Sequence, residues 1–292
     1  MNANTPRQRI WLVTGASKGI GRHIAEAAAA DGHIVIAGSR HPEAVHAWNT
    51  RTHGGEIVAT RLDITSEESV TEVVNSVVER WGRVDVLVNN AGYLLYGGVE
   101  ELSDQEALRS FDVNLFGLLT VIRRVLPVMR AQKAGRIINM ASISANITAP
   151  GVGLYSATKA AVLLFSEALA AEATDLGIHT TAICPGGVRT DFLDASSAAR
   201  AQNQISDYAG VHQVEDQLSQ ANHKQGGDPE KVAHAIVKVA AMDAPPARLY
   251  LGDDAIEGIR HNVRSILDDV DTYEALSRSI TYTPESSTTH NS

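Results

Sequence analysis

The chain has 292 residues, of which 44% are hydrophobic and 20% charged, and its formal net charge is -9 at pH 7. Such an acidic chain lacks the basic face that a phosphate backbone requires, which excludes nucleic acid as its main partner. The single cysteine, Cys184, excludes an internal disulfide and allows a reducing compartment.

Read in chain order, short apolar runs alternate with helical patterns. Met1 to Arg9 is polar, with no apolar signal core distinct from the first strand. Ile10 to Val13 reads as that strand, Gly19 to Asp31 as an Ala-rich helix and Ile34 to Ala37 as a second strand. His41 to His53 reads as a helix stopped by Gly54-Gly55, and Ile57 to Leu62 as a third strand. Ser66 to Trp81 has helical spacing through Val70, Val73, Val74 and Val77, with Gly82 after it. Val84 to Val88 is a strand ending in Asn89-Asn90-Ala91-Gly92. Ser103 to Arg130 is a long helical stretch with a break near Asn114 to Gly117. Arg136 to Met140 is a strand, Leu154 to Leu176 a helix stopped by Gly177, and Ile178 to Cys184 a strand. Cys184 in that run reads as a small core residue. Asp228 caps a helix over Pro229 to Met242, which Pro245-Pro246 ends, and Arg248 to Leu251 is a last strand.

This alternation predicts an α/β fold: a Rossmann-type doubly wound parallel sheet of about seven strands with helices on both faces. One domain over 1–292 is expected, with a helical extension after Gly252. The polar segment 192–227 interrupts the rhythm and reads as a lid over a substrate cleft. Residues 284–292 read as a short disordered tail. No run approaches the ~18 uncharged apolar residues of a membrane span, so a cytoplasmic protein without a membrane partner is expected. Asn146-Ile147-Thr148 fits a glycosylation pattern, but without a secretion signal it reads as a chance match.

Thr14-Gly15-Ala16-Ser17-Lys18-Gly19-Ile20-Gly21 follows the first strand and opens the first helix. Its three glycines allow a tight turn and a close approach of backbone to a pyrophosphate, with the helix N-terminus supplying amides and dipole. Gly15, Ser17, Lys18, Gly19, Ile20 and Gly21 are therefore cofactor-binding candidates. A site for NAD wants an acid at the end of the second strand, whereas this chain has Gly38-Ser39-Arg40 there. Ser39 and Arg40, with Lys18, suit a 2′-phosphate and predict NADP(H).

Tyr155 and Lys159 stand four residues apart at the start of a helix, which puts both on one face. A phenol, ordinarily ionising near about 10, becomes a useful acid or base when an ammonium and a cationic ring lower that value. Ser142, just after the strand ending at Met140, is placed to hydrogen-bond a substrate oxygen as it gains charge. An amide at Asn114 could hold a water behind Lys159.

Together these motifs resemble the short-chain dehydrogenase/reductase family. The matching positions are Thr14 to Gly21, Asp63, Asn89-Asn90-Ala91-Gly92, Asn114, Ser142, Tyr155 with Lys159, and Pro185-Gly186, in family order across residues 10–190. Residues 226–278 are also similar to a bacterial branch that resembles 17β-hydroxysteroid and retinol dehydrogenases. The resemblance implies Tyr155 as general acid/base and Lys159 as its modulator and a ligand of the nicotinamide ribose. It implies Ser142 on the carbonyl oxygen and Asn114 beside a relay water. Asp63 would face the adenine ring and Asn90 the adenosine ribose side, with Ile64, Ala91 and Gly92 also expected to bind the cofactor. Pro185, Gly186, Val188 and Thr190 would edge the nicotinamide. It also implies a homodimer or homotetramer. One departure is Pro185-Gly186-Gly187-Val188, where the branch often has a Pro-Gly-Pro-Phe-like run; the extra room puts the branch's substrates in question for this chain.

The expected function is NADP(H)-dependent hydride exchange with a ketone, aldehyde or secondary alcohol, a small-molecule substrate. Apolar candidate walls at Leu94, Leu95, Tyr96, Ile143, Ile147, Val152, Phe192 and Leu193, with Asn146 among them, favour a lipophilic one. No metal is expected, because no His/Cys/Asp ligand set clusters in the sequence. The alternatives are a non-catalytic NADP(H)-binding sensor or scaffold, against which the complete catalytic set counts, and a sugar-nucleotide epimerase or dehydratase, against which the short region after Thr190 counts.

Overall fold

Alternating apolar runs and amphipathic stretches become a seven-stranded parallel sheet in the computed structural model, which describes residues 8–46 and 54–282. The first half runs β1 (Ile10–Thr14), α1 (Gly19–Ala30), β2 (Ile34–Ser39), α2 (Glu43–His46), β3 (Glu56–Arg61), α3 (Glu67–Trp81), β4 (Val86–Asn89), β5 (Leu94–Tyr96), α4 (Asp104–Phe111) and α5 (Gly117–Gln132). The second runs β6 (Gly135–Met140), α6 (Gly153–Ala173), β7 (Ile178–Pro185), β8 (Ala198–Arg200), α7 (Ala209–Gln220), α8 (Pro229–Ala241), β9 (Arg248–Leu251), α9 (Asp253–Thr272) and α10 (Glu274–Arg278). The sheet order is β3-β2-β1-β4-β6-β7-β9. The order reverses between β1 and β4, and the crevice above their carboxyl ends is where such sheets bind ligands.

Period-two alternation divides the core. In β1, Ile10 and Leu12 face the layer of α3, α5 and α6, while Trp11 and Val13 face α1 and α8. Ala25, Ala28 and Ala29 of α1 have no exposed surface, so α1 lies close to the sheet and to α8. Caps fix the helix ends. Ser66 accepts from the Ser69 amide at α3, Ser103 and Glu106 form a reciprocal box at α4, and Gly82 closes α3 at φ +72°.

The long stretch expected over Ser103 to Arg130 is α4 and α5 joined by a π-helical turn, Asp112–Phe116. The wider turn interrupts the helix at Asn114, the point at which the sequence pattern breaks. The last strand has the expected bounds, Arg248–Leu251, and the other expected strands differ by one or two residues at an end. Of the helix expected over His41 to His53, α2 covers Glu43–His46, and residues 47–53 lie outside the described residues, as does the tail 284–292.

Two short strands have no counterpart in the sequence expectation. β5 and β8 pair in parallel, Leu94 with Ala198 and Tyr96 with Arg200, as a separate ribbon above the sheet. β8 and α7 fall within 192–227. That excursion is closed at its base: the Arg189 amide donates to the Gly227 carbonyl, and the Gly227 amide to the Gly187 carbonyl, both at 2.9 Å. Among the described residues one helix, Gly153–Leu176, is long and apolar enough by length and mean hydropathy to cross a membrane, although Lys159 and Glu167 keep it from being the uncharged run that the sequence expectation considered. Here its buried face includes Val162, Leu163 and Leu169 in the sheet-facing core.

Candidate functional site

The glycine turn after β1 is stitched to the end of β4. Thr14 Oγ1 accepts from the amides of Asn90 (3.0 Å) and Ala91 (3.1 Å), and Asn90 Nδ2 donates to the carbonyls of Thr14 and Gly15, both at 3.0 Å. A Cβ at Gly15 (φ +64°) would stand 2.8 Å from Ala91 Cα, and one at Gly21 would stand 2.4 Å from Asn90 Nδ2. The turn therefore needs glycine for its conformation and for its neighbours. No side chain caps α1, so its opening amides face the cleft in the manner of an anion site. Lys18 reaches across to donate to Ser196 Oγ at 2.6 Å.

Arg40 follows β2 and is exposed. It borders an outer hollow with Lys18, Tyr93 and Arg109. Ser39 is buried and accepts from the His41 amide at 3.1 Å. Asp63 Oδ1 accepts from the Thr65 amide (3.0 Å) and hydroxyl (2.7 Å). Burial favours the protonated form of that carboxyl, but the Thr65 hydrogen bonds and the Arg40 and Arg109 charges outweigh it, so its pKa is lowered. Ile64 is a packing residue: a Cβ at Gly117 would stand 2.8 Å from its Cδ1. Asp63, Ile64, Ser17, Gly21 and Ser39 support the two hollows from behind rather than lining them.

The inner hollow gathers Gly15, Gly92, Ser142, Tyr155, Lys159 and Pro185, from five different segments of the chain. Tyr155 and Lys159 are 6% and 5% exposed on α6. Lys159 Nζ donates to the Met140 carbonyl at 2.8 Å and lies 5.8 Å from the centre of the Tyr155 ring. Burial brings the ammonium down to about 8, with Cys184 opposing slightly. Burial pushes the Tyr155 phenol up, and a hydrogen bond with Ser142 works against that. The phenol is thus protonated at neutral pH before any cationic ligand arrives. Ser142 Oγ also accepts from the Ser144 amide at 3.1 Å, which caps a short 3-10 turn.

Asn114 is 1% exposed, and its side chain is committed. Oδ1 accepts from the Tyr93 amide (2.9 Å), while Nδ2 donates to the Tyr93 carbonyl (3.0 Å) and to Thr158 Oγ1 (3.3 Å). The amide expected beside a water also locks the strand end next to Gly92. A Cβ there would stand 3.0 Å from Asn114 Oδ1 and 3.5 Å from Lys159 Nζ.

The remaining wall holds Val188, Thr190, Asp191 and Phe192, with the Phe192 ring 6.1 Å from that of Tyr155. Leu94, Tyr96, Val152 and Tyr155 form a buried apolar cluster against which Phe192, Leu193 and Leu218 pack. Asp254 bears on the Gly187-Val188 departure: it accepts from the Gly187 amide at 2.6 Å, a hydrogen that a proline at that position would lack. No sequence signal points to Asp254, because its partner is 67 residues away. The structure also brings Asp191, Asp194 and His223 together, a grouping not visible in the sequence. His223 Nε2 is 4.0 Å from Asp191 and 3.3 Å from Asp194. These side chains are 37–53% exposed. Cys184 is buried, and burial lifts its thiol to about 11, which keeps it unreactive.

This geometry has counterparts among known proteins. The profile of the family described as short chain dehydrogenase matches residues 9–201. The chain is 36% identical over 250 residues to oxidoreductase BOA17 of Botryotinia fuckeliana, covering 85% of this chain and 90% of that one. It is 34% identical over 244 residues to a 3-ketodihydrosphingosine reductase of Bacteroides thetaiotaomicron, covering 84% and 88%. The crystal structure of a short-chain dehydrogenase from Streptomyces avermitilis superposes with a TM-score of 0.85 at 36% identity, covering 94% of this chain and 100% of that one. A profile match over most of the chain, joined to a parallel sheet with its crevice at the β1/β4 reversal, identifies this chain as an oxidoreductase of the short-chain dehydrogenase family.

Proposed function

We propose that this oxidoreductase uses NADP(H) to interconvert a lipophilic ketone or aldehyde with its alcohol. The observation that carries the cofactor choice is Arg40, which stands exposed at the end of β2 where an NAD site would have an acid. Gly15, Ser17, Lys18, Gly19, Ile20 and Gly21 would hold the pyrophosphate, and Ser39 with Arg40 the 2′-phosphate. Asp63 would face the adenine and Asn90 the ribose side, with Ile64, Ala91 and Gly92 among the cofactor-binding residues. Pro185, Gly186, Val188 and Thr190 would edge the nicotinamide. The close backbone approaches at Gly15 and Gly21 fit such a ligand. Bound nicotinamide supplies or accepts the hydride.

The chain's own residues then manage position and the proton. In reduction, Tyr155 gives its hydroxyl proton to the substrate oxygen while Ser142 donates a hydrogen bond to the same atom. Burial keeps the phenol protonated, so the proton to be given is in place at neutral pH. In oxidation Tyr155 is the base, and the ammonium of Lys159 favours the phenolate. Asn114 positions the Gly92 backbone beside Lys159. The apolar cluster of Leu94, Tyr96 and Val152, with Phe192 and Leu193 against it, supports a lipophilic substrate, as does a relative named for reducing a keto compound.

Within the same reading, residues 1–292 form one catalytic domain and 192–227 are its lid. Exposed Leu108, Phe116 and Leu164 are the apolar surface of a homodimer or homotetramer. The lone buried Cys184 fits a cytoplasmic setting.

Fluorescence titration with NADPH and NADH tests the cofactor choice. The wild-type chain should bind NADPH more tightly. Arg40→Asp should lose about 10–100-fold in NADPH affinity, the worth of one or two charge-assisted hydrogen bonds, and little for NADH. Tighter binding of NADH by the wild type would overturn the assignment.

A further inference from the structure

Lys18 belongs to the glycine turn and Ser196 to the proposed lid, yet the Lys18 ammonium donates to Ser196 Oγ at 2.6 Å across 178 residues of chain. Both border the outer hollow, as does Arg40. Charge is unevenly spread there. The chain as a whole carries -9, but this lining sets Lys18, Arg40, Arg109 and Arg200 against the carboxylate of Glu106. Glu106 is taken up by Ser103 and the Gln202 amide. Asp63 lies behind the wall, with Oδ1 taken by Thr65. Arg200 pairs with Glu215 at 2.8 Å and Arg109 with Asp112 at 3.1 Å. Among the described residues, Lys18 and Arg40 are then left without an ion pair, and Ser196 Oγ has no hydrogen bond besides the one from Lys18. An ammonium has three donors, and a hydroxyl that accepts still has its own hydrogen to give. Lys18 and Ser196 therefore present spare donors side by side, which suits a phosphate oxygen.

We propose that Ser196 is a cofactor ligand carried by the lid: with Lys18 and Arg40 it holds the 2′-phosphate of NADP(H), and through it that phosphate fixes the lid over the substrate cleft. The inference rests on the NADP(H) reading and adds to it a residue outside the glycine turn and the strand ends. A pyrophosphate oxygen is the poorer fit, because Ser196 borders the hollow of Arg40 and not the inner one of Gly15, Gly19 and Ile20. Lys18 serves both places: its backbone caps α1 while its ammonium stands at Ser196. Nor does Ser196 move alone. The Ser197 and Ala198 amides both donate to the Asp194 carbonyl at 2.8 Å, and the Leu94 amide donates to the Ser197 carbonyl at 3.0 Å. From there β8 pairs with β5, and Leu94 and Tyr96 of β5 share the apolar cluster of Tyr155. A bond made at Ser196 is thus joined through the ribbon to the wall that would hold substrate. A ligand shifts such an element by its differential affinity for the two positions, and the coupling is reciprocal. Substrate in the cleft should therefore tighten NADPH more than NADH.

Fluorescence titration of the full chain tests the contact. Ser196→Ala should lower the ratio of NADPH to NADH affinity about tenfold, the worth of one charge-assisted hydrogen bond. Ser196→Thr, which keeps the hydroxyl, should restore it. Lys18→Met combined with Ser196→Ala should cost less than the two changes summed, because both act on one phosphate. Hydrogen exchange resolved by segment tests the consequence. Adenosine 2′,5′-bisphosphate should slow exchange at β5 and β8, adenosine 5′-monophosphate at equal occupancy should not, and Ser196→Ala should remove the difference. A wild-type chain that binds NADH as tightly as NADPH would overturn the cofactor reading and this inference with it. A preference for NADPH that survives in Ser196→Ala would overturn the inference alone. So would an equal loss of both cofactors, which would put Ser196 at the pyrophosphate, or equal protection by the two adenosine phosphates.

Discussion

Tyr155 and Lys159 stand on a helix of 21 residues whose other face is packed into the sheet core, whereas the segment above them hangs from side-chain carboxylates. Glu101 accepts from the amides of Gly98 (2.8 Å) and Ile205 (2.9 Å) and pairs with His212 at 2.6 Å. Glu106 accepts from the Gln202 amide (3.0 Å), Glu215 pairs with Arg200 (2.8 Å), and Tyr208 donates to Glu100 (2.7 Å). The floor of the cleft therefore owes its position to apolar burial, whereas the proposed lid adds to the packing of Phe192, Leu193 and Leu218 a set of hydrogen bonds and ion pairs that the floor lacks. The two respond to different perturbations: the floor to changes in volume and buried charge, the lid to pH and to loss of single acceptors. Rigid chemistry beneath a releasable cover is what alternating closure and product release require.

Changing the chemistry of the floor without its packing should have the largest effect. Tyr155→Phe keeps the ring against Phe192 and removes only the hydroxyl, so turnover should fall about 10²–10⁴-fold with NADPH binding nearly unchanged. Steady-state kinetics beside a binding titration checks both halves. Next is the buried ammonium. The unfolded chain keeps the Lys159 proton up to its ordinary value of 10.5, while the fold releases it near 8. The unfolded state thus holds more protons between those values, and Lys159 makes stability rise with pH across that window. Lys159→Met should abolish the rise. It should stabilise the fold by on the order of 1–2 kcal/mol at pH 7, after the lost bond to the Met140 carbonyl is deducted, while activity collapses. Thermal unfolding from pH 7 to 10.5 measures this directly.

The lid should give the smaller effects. Glu101→Gln leaves the shape and removes the charge that three donors share. KM should rise several-fold with kcat changed less, and 192–227 should become more open to proteolysis while α6 stays protected. Hydrogen bonds from the Ile205 and Gly98 amides hold the Glu101 carboxyl below its ordinary value. Its contribution is therefore complete above that ordinary value and is lost as pH falls through the depressed one. Acid should loosen the lid before the floor, which hydrogen exchange resolved by segment would display.

The same division decides how much is legible in the sequence. The floor is readable because its signals are local: Tyr155 and Lys159 share a helix turn, the glycines follow a strand, and Asn114 marks the break that becomes a π turn. The Arg40 position is equally plain from its place after β2. What the lid rests on is not readable. β5 and β8 are three residues each, too short for period-two patterning, and each exists only through the other. Glu101 meets Ile205 across 104 residues, and Asp254 meets Gly187 across 67, so neither acid differs in sequence from a solvated one. Asn90 and Asn114 are found by position, but their observed contacts are within the chain, to backbone at Thr14, Gly15 and Tyr93 and to the Thr158 hydroxyl. Their neighbours in the fold, which no local pattern specifies, determine that.

The most direct measurement is the fate of a deuterium label. NADPH deuterated at C4, on each face in turn, would be incubated with the wild-type chain and a panel of lipophilic ketones and aldehydes. One of the two labels should appear at the carbinol carbon of a product alcohol, with the hydroxyl hydrogen drawn from solvent, and Tyr155→Phe should suppress the transfer. Oxidised cofactor and alcohol whose carbinol hydrogen came from water, or no alcohol from any member of the panel under saturating NADPH, would contradict hydride transfer to a carbonyl carbon with Tyr155 as the proton donor.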